Sequence, residues 1–180
     1  KKVTLECGGK AANIVLEDAD WDVAVDGSIW ASFYHQGQVC ESGTRLLLSK
    51  KDHDGFVEQM VEKLRAMRLG DPMDKQTQLG PVVSEGQMKS VLDYVEIGKG
   101  EGASLACGGG RATKGDLGKG FFVEPTLFTG VTNDMRIAQE EIFGPVLSVL
   151  QYGSVDQAVA ISNDSIYGLS GGVWSTDIEA

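Results

Sequence analysis

Hydrophobic residues fall along this chain in short runs, separated by stretches where they recur every three or four positions. The runs Ala12–Leu16, Arg45–Ser49, Ser104–Cys107, Phe121–Val123, Val146–Tyr152 and Leu169–Ser175 are predicted strands. Most are continuously apolar, the pattern of strands covered on both faces. The opening KKVTLE, Lys1 to Glu6, is strand-like too. The helical period predicts a helix from Trp21 to Gln36, with Val25, Ile29, Trp30 and Phe33 on one face. Asp18, Asp20 and Asp22 suit its positive end, and Gly37 stops it. Phe56, Val57, Met60, Val61 and Leu64 make a stripe over His53–Met67. Met88, Val91, Leu92 and Val95 make another over Ser84–Lys99, and Asp156–Asn163 is a shorter helix. Gly70–Val83 and Gly108–Gly120 read as loops. Thr176 is the predicted N-cap of a helix beginning near the last residues.

Strands alternating with helices in this way imply an α/β fold, a layered domain with a largely parallel sheet flanked by helices. At 180 residues, with no repeat, low-complexity tract or linker, the chain reads as one domain. A strand at the very start and a helix at the very end imply that it continues into something larger.

Composition narrows the function classes. The chain is 42% hydrophobic and 23% charged, as ordinary globular proteins are. No apolar run is long enough to cross a bilayer, and the first residues carry no apolar signal segment. A net charge of -10 opposes contact with nucleic acid or an anionic membrane. The three cysteines, Cys7, Cys40 and Cys107, are odd in number and irregular in spacing. They form neither a disulfide framework nor a metal pattern, and they fit a reducing, cytoplasmic setting.

Three places have residues suited to chemistry. Cys40 follows Gln36-Gly37-Gln38-Val39 on a turn leading into a strand. There a thiol can be exposed and backbone N–H groups can face an attacked carbonyl; the alternative is a buried structural thiol. Glu6 precedes Cys7-Gly8-Gly9-Lys10, where paired glycines permit a sharp turn and close approach by a ligand. Its carboxylate is a general base or an exposed acid on a turn. Glu140-Glu141-Ile142-Phe143-Gly144-Pro145 sets two acids and an aromatic before a strand. That set suits a hydroxyl-binding carboxylate beside an aromatic surface, or a plain loop with a core phenylalanine.

Taken together and in this order, ECGGK, HQGQVC and EEIFGPV resemble the motifs of the aldehyde dehydrogenase superfamily. NIVLEDADWDVAV, LGPVVSEGQ, EPTLF and NDSIYGLSGGVW extend the resemblance over almost the whole chain. The separation of Glu6 from Cys40 is also the family's. The resemblance implies that Cys40 is a nucleophile attacking an aldehyde, with its own N–H holding the oxyanion. Hydride passes to NAD or NADP, and Glu6 activates the water that hydrolyses the thioester. Because members that pass the acyl group to coenzyme A generally lack this base, Glu6 implies a hydrolytic enzyme.

By the same resemblance Glu141 binds hydroxyls of the nicotinamide ribose, and Phe143 packs near that ring. Gln87 falls where some relatives touch the ribose, and Cys7 where a main-chain carbonyl meets the nicotinamide amide. Tyr34, Val39 and Glu41 match positions that line the aldehyde tunnel. His35 stands where asparagine is frequent. The family's dinucleotide-binding half lies mostly upstream of ECGGK, and a terminal segment serves subunit assembly. Residues 1–180 are therefore expected to be the catalytic portion of a homo-oligomeric enzyme, inactive alone. A cysteine hydrolase pairing Cys40 with His35 or His53, and a non-catalytic binding module of the same fold, are the alternatives.

Overall fold

The computed structural model describes Lys1–Glu179. Its elements in chain order are β1 (Ala12–Val15), α1 (Trp21–Phe33), a 3-10 turn (Tyr34–Gly37), β2 (Arg45–Ser49), α2 (His53–Ala66) and α3 (Glu85–Gly100). There follow β3 (Ser104–Cys107), a 3-10 turn (Gly115–Lys119), β4 (Thr126–Thr129), α4 (Arg136–Gln139), β5 (Val146–Tyr152), α5 (Val155–Asn163) and β6 (Gly171–Trp174). Six strands form one sheet in the order β3-β4-β5-β2-β1-β6. All neighbours are parallel except β3 and β4.

The two sheet faces are covered by different helices. Successive strand residues point to opposite faces, so Leu46 and Leu48 of β2 pack with Val25, Ile29, Phe56, Met60 and Leu64 of α1 and α2. Leu47 packs on the other side with Met88, Val91 and Val95 of α3, Ile137 of α4 and Ala158 of α5. Continuous apolar runs are what such a doubly covered sheet requires. Helix starts are fixed by side-chain caps. The Asp20 carboxylate accepts from Asp22 N–H at 3.0 Å, Ser84 Oγ from Gln87 N–H at 3.1 Å, and Ser154 Oγ from Gln157 N–H at 3.2 Å.

Several expectations are corrected. Lys1–Glu6 is not a strand, and the chain up to Ala11 has no regular structure. Phe121–Val123 is not one either. Only Val123 makes an isolated bridge, to Arg111, and the place in the sheet belongs to Thr126–Thr129, which the apolar pattern passed over. α1 stops at Phe33 because His35, Gln36 and Gly37 all have positive φ, at 50°, 61° and 69°. Trp30 points outward at 65% exposure, and the buried face of α1 carries Ser28 and Ser32 instead. Asn13 Nδ2 donates to Ser28 Oγ at 3.0 Å, and Ser32 Oγ donates to the Gly43 carbonyl at 3.0 Å. Thr176 caps no helix among the described residues; its N–H donates to the Asp18 carboxylate at 2.9 Å, as that of Asp177 does at 3.0 Å.

Candidate active site

Strand order explains how three distant motifs meet. β5, β2 and β1 are adjacent and parallel, so the segments leading into them emerge at one end of the sheet. The glycine turn precedes β1, the Cys40 loop precedes β2, and Glu141–Phe143 precede β5. The segment before β6 joins them: Ser170 Oγ donates to the Glu41 carbonyl at 3.1 Å.

Glycine makes these contacts possible. A Cβ on Gly9 would lie 2.3 Å from the Cys40 carbonyl oxygen, and one on Gly8 would lie 2.4 Å from Glu141 Oε2. Gly9 N–H donates to Glu141 Oε1 at 3.0 Å. The glycine turn thus touches the cysteine loop with its backbone on one side and the Glu141 carboxylate on the other. A Cβ on Gly37 would meet the Gly144 carbonyl oxygen at 2.2 Å, which locks the turn before Cys40 to the loop carrying Phe143.

The Cys40 loop is a strained segment held in place. Left-handed conformations at His35 and Gln36 each cost of order 1 kcal/mol and persist where surroundings over-determine them. Gln38 Nε2 donates to the His35 carbonyl at 3.2 Å, and its Oε1 accepts from Val83 N–H at 2.9 Å. Ser42 N–H donates to the Val39 carbonyl and Gly43 N–H to that of Ala31, both at 3.1 Å. Cys40 and Val39 are half-buried, and Glu41 is exposed. Tyr34 is half exposed and stacks on Trp30 with ring centroids 4.9 Å apart.

The two neighbouring acids have separate duties. Glu140 accepts from Arg136 at 2.7 and 2.8 Å and from the Tyr94 hydroxyl at 2.7 Å. Arg136 first, then Tyr94, hold its carboxyl down at about 2. Among the described residues no cation is paired with Glu141; its Oε1 accepts from Gly9 N–H and its Oε2 lies against Gly8. Oε2 accepts no hydrogen bond among the described residues, and Gly8 leaves it a space that a larger residue would fill. Phe143 sits at φ 54° and is 38% exposed. Gln87 Nε2 donates to the carbonyls of Ile142 and Phe143 at 3.1 and 2.8 Å, so its amide N–H groups hold this loop.

Glu6 and Cys7 are exposed and lie in the irregular first segment. Glu6 makes no side-chain hydrogen bond among the described residues. His35 packs edge-on against Tyr34, and His53 Nδ1 lies 2.7 Å from Asp54 at the start of α2. Neither imidazole bonds Cys40, so the structure offers the hydrolase dyad no support. Among the described residues there is no cluster of side chains suited to a metal and no helix long and apolar enough to cross a membrane. No sequence signal marks the roles of Gln38 and Ser170, and the close approach predicted at Gly8 and Gly9 is taken up by the Cys40 loop and Glu141.

The sequence model described as the aldehyde dehydrogenase family matches residues 1–180. Betaine aldehyde dehydrogenase of Brucella anthropi is 51% identical over 178 residues, 99% of this chain and 37% of that protein. The crystal structure of betaine aldehyde dehydrogenase from Staphylococcus aureus in complex with NAD+ superposes with a TM-score of 0.95 at 41% identity, covering 97% of this chain and 35% of that one. The NAD+ complex of an aldehyde dehydrogenase from Bacillus cereus gives 0.94 at 46% identity, covering 99% and 36%. The chain spans little more than a third of the length of the curated relatives it matches.

Proposed function

We propose, since this chain belongs to the aldehyde dehydrogenase family, that it is the catalytic portion of an enzyme oxidising an aldehyde to a carboxylic acid with NAD(P). The observation that supports this is the close approach of the Gly8–Gly9 backbone to both the Cys40 loop and Glu141, the groups proposed as nucleophile and cofactor-side carboxylate.

Cys40 Sγ, as thiolate, forms a bond to the aldehyde carbon while its own N–H supports the developing oxyanion. A nicotinamide held by Glu141 and Phe143 would supply the acceptor for the hydride on that carbon. A thioester remains on Cys40. Glu6 then takes a proton from water as its oxygen bonds the acyl carbon; the C–S bond breaks and the thiolate returns. Glu141 would accept the ribose hydroxyls through Oε2, and Phe143 would pack near the nicotinamide. The Cys7 carbonyl is the proposed acceptor for the nicotinamide amide. Gln87 acts on the ribose indirectly, by holding the Ile142–Phe143 carbonyls. Tyr34, Val39 and Glu41 face the aldehyde.

The names of the relatives make a quaternary-ammonium aldehyde the first substrate to test. The stacked Trp30–Tyr34 pair and the Glu41 carboxylate are groups that attract such a cation. The proposal further places the enzyme in the cytoplasm as a homo-oligomer. The test is to assay the whole protein with betaine aldehyde and simple aliphatic aldehydes, using NAD+ and NADP+ in turn. Acid and reduced cofactor form in equal amounts, and Cys40→Ser abolishes both. Undiminished cofactor reduction by Cys40→Ser contradicts the proposal.

A further inference from the structure

Two buried cations line one cavity at the starts of β1 and β2, and among the described residues no counter-ion is bonded to either. Lys10 precedes β1 and Arg45 opens β2, each only 1% exposed. Lys10 Nζ and Arg45 Nε have no hydrogen-bond partner among the described residues. Both side chains line one small cavity of about 30 Å³, shared with Ser162, Tyr167 and Ser170. A single water-sized guest needs roughly 10–15 Å³ of such space, so the cavity has room for a monatomic guest.

Arg45 stays charged at any ordinary pH. Its terminal nitrogens donate to neutral acceptors, with Asn133 Oδ1 and the Ile161 carbonyl at 2.9 Å and the Ser162 carbonyl at 2.8 Å. The carboxylates facing the pair act from a distance, Glu141 and Glu140 toward Lys10 and Asp164 toward Arg45. Asp164 already accepts from Asn133 Nδ2 at 2.9 Å. Buried charge left unpaired is heavily disfavoured. Water in the cavity satisfies the N–H groups without neutralising them, whereas an anion does both.

We propose that this cavity is a binding site for a monatomic anion, chloride in the first instance, held between the Lys10 ammonium and the Arg45 guanidinium. The bound anion keeps Lys10 in its ammonium form and ties together the starts of β1 and β2, next to the glycine turn and the cysteine loop. The proposal stands apart from the dehydrogenase function, and its test reads no activity.

The experiment is 35Cl NMR of potassium chloride solutions with the whole protein. Exchange with an asymmetric protein site broadens the chloride line. The expected result is saturable broadening that bromide reverses and gluconate at equal ionic strength does not. Lys10→Met and Lys10→Gln, each checked for retained fold by circular dichroism, lose that broadening. A line as narrow with the unmodified protein as in buffer overturns the proposal and assigns water to the cavity. Broadening that bromide cannot reverse, or that persists in a folded Lys10 variant, also overturns it, since the chloride is then bound elsewhere.

Discussion

Burial pushes the Cys107 thiol above its ordinary range; its sulfur lies in the core and donates to the Pro125 carbonyl at 3.8 Å. The thiolate is the reacting form, so Cys107 is expected to alkylate slowest of the three cysteines. Cys40, on its half-buried turn, is expected to alkylate fastest. Brief iodoacetamide treatment followed by peptide mass spectrometry checks both; modification of Cys107 ahead of Cys40 contradicts the assignment. Lys10 gives a second prediction at this scale. Burial first, then Arg45, lower its pKa to about 7, against the opposing pull of Glu141 and Glu140. Between about pH 7 and its ordinary value of 10.5, the unfolded chain binds the proton more readily than the folded one. Stability from this group therefore rises with pH across that window, and below it the burial penalty is felt in full. In chloride-free buffer, urea unfolding between about pH 7 and 9 is expected to show a steeper rise for the unmodified protein than for Lys10→Met. Equal slopes contradict it.

Gly9→Ala tests the contact between elements. Its Cβ would lie 2.3 Å from a backbone oxygen of the cysteine loop, and backbone cannot step aside as a flexible side chain does. Overpacking of this kind costs about 1–3 kcal/mol, so a lower unfolding midpoint and a lower kcat in the whole protein are expected together. Unchanged kcat would mean that the turn does not position Cys40. At this scale much was legible in the sequence. The stripes over α2 and α3 predicted Phe56, Met60, Leu64, Met88, Val91 and Val95 in the core, because a helical period with one apolar face admits few other structures. Where apolar runs were short, the pattern failed. Phe121–Val123 looked more strand-like than Thr126–Thr129, yet Thr126 serves the sheet with its hydroxyl donating to the Glu124 carbonyl at 2.8 Å. On α1 the serines face inward because Asn13 and the Gly43 carbonyl pair them, which no count of hydrophobic residues reveals.

For the whole molecule, the site is a consequence of strand order. Cys40, Gly8–Gly9 and Glu141 approach because β5, β2 and β1 are neighbours, and no local pattern contains that fact. Their residue types and order, through the family resemblance, pointed to them all the same. The irregular conformation of Lys1–Ala11 was not legible, since KKVTLE alternates as an edge strand does. The central claim divides the chemistry between Cys40, which forms the thioester, and Glu6, which directs water to it. Pre-steady-state cofactor reduction by Glu6→Gln in the whole protein tests that division most directly. Acylation and hydride transfer precede the hydrolytic step, so a burst close to one reduced cofactor per active site is expected, followed by a steady rate lowered by about 10²–10⁴, the usual worth of a general base. Loss of the burst itself would contradict the account, because Glu6 would then be needed before the thioester exists.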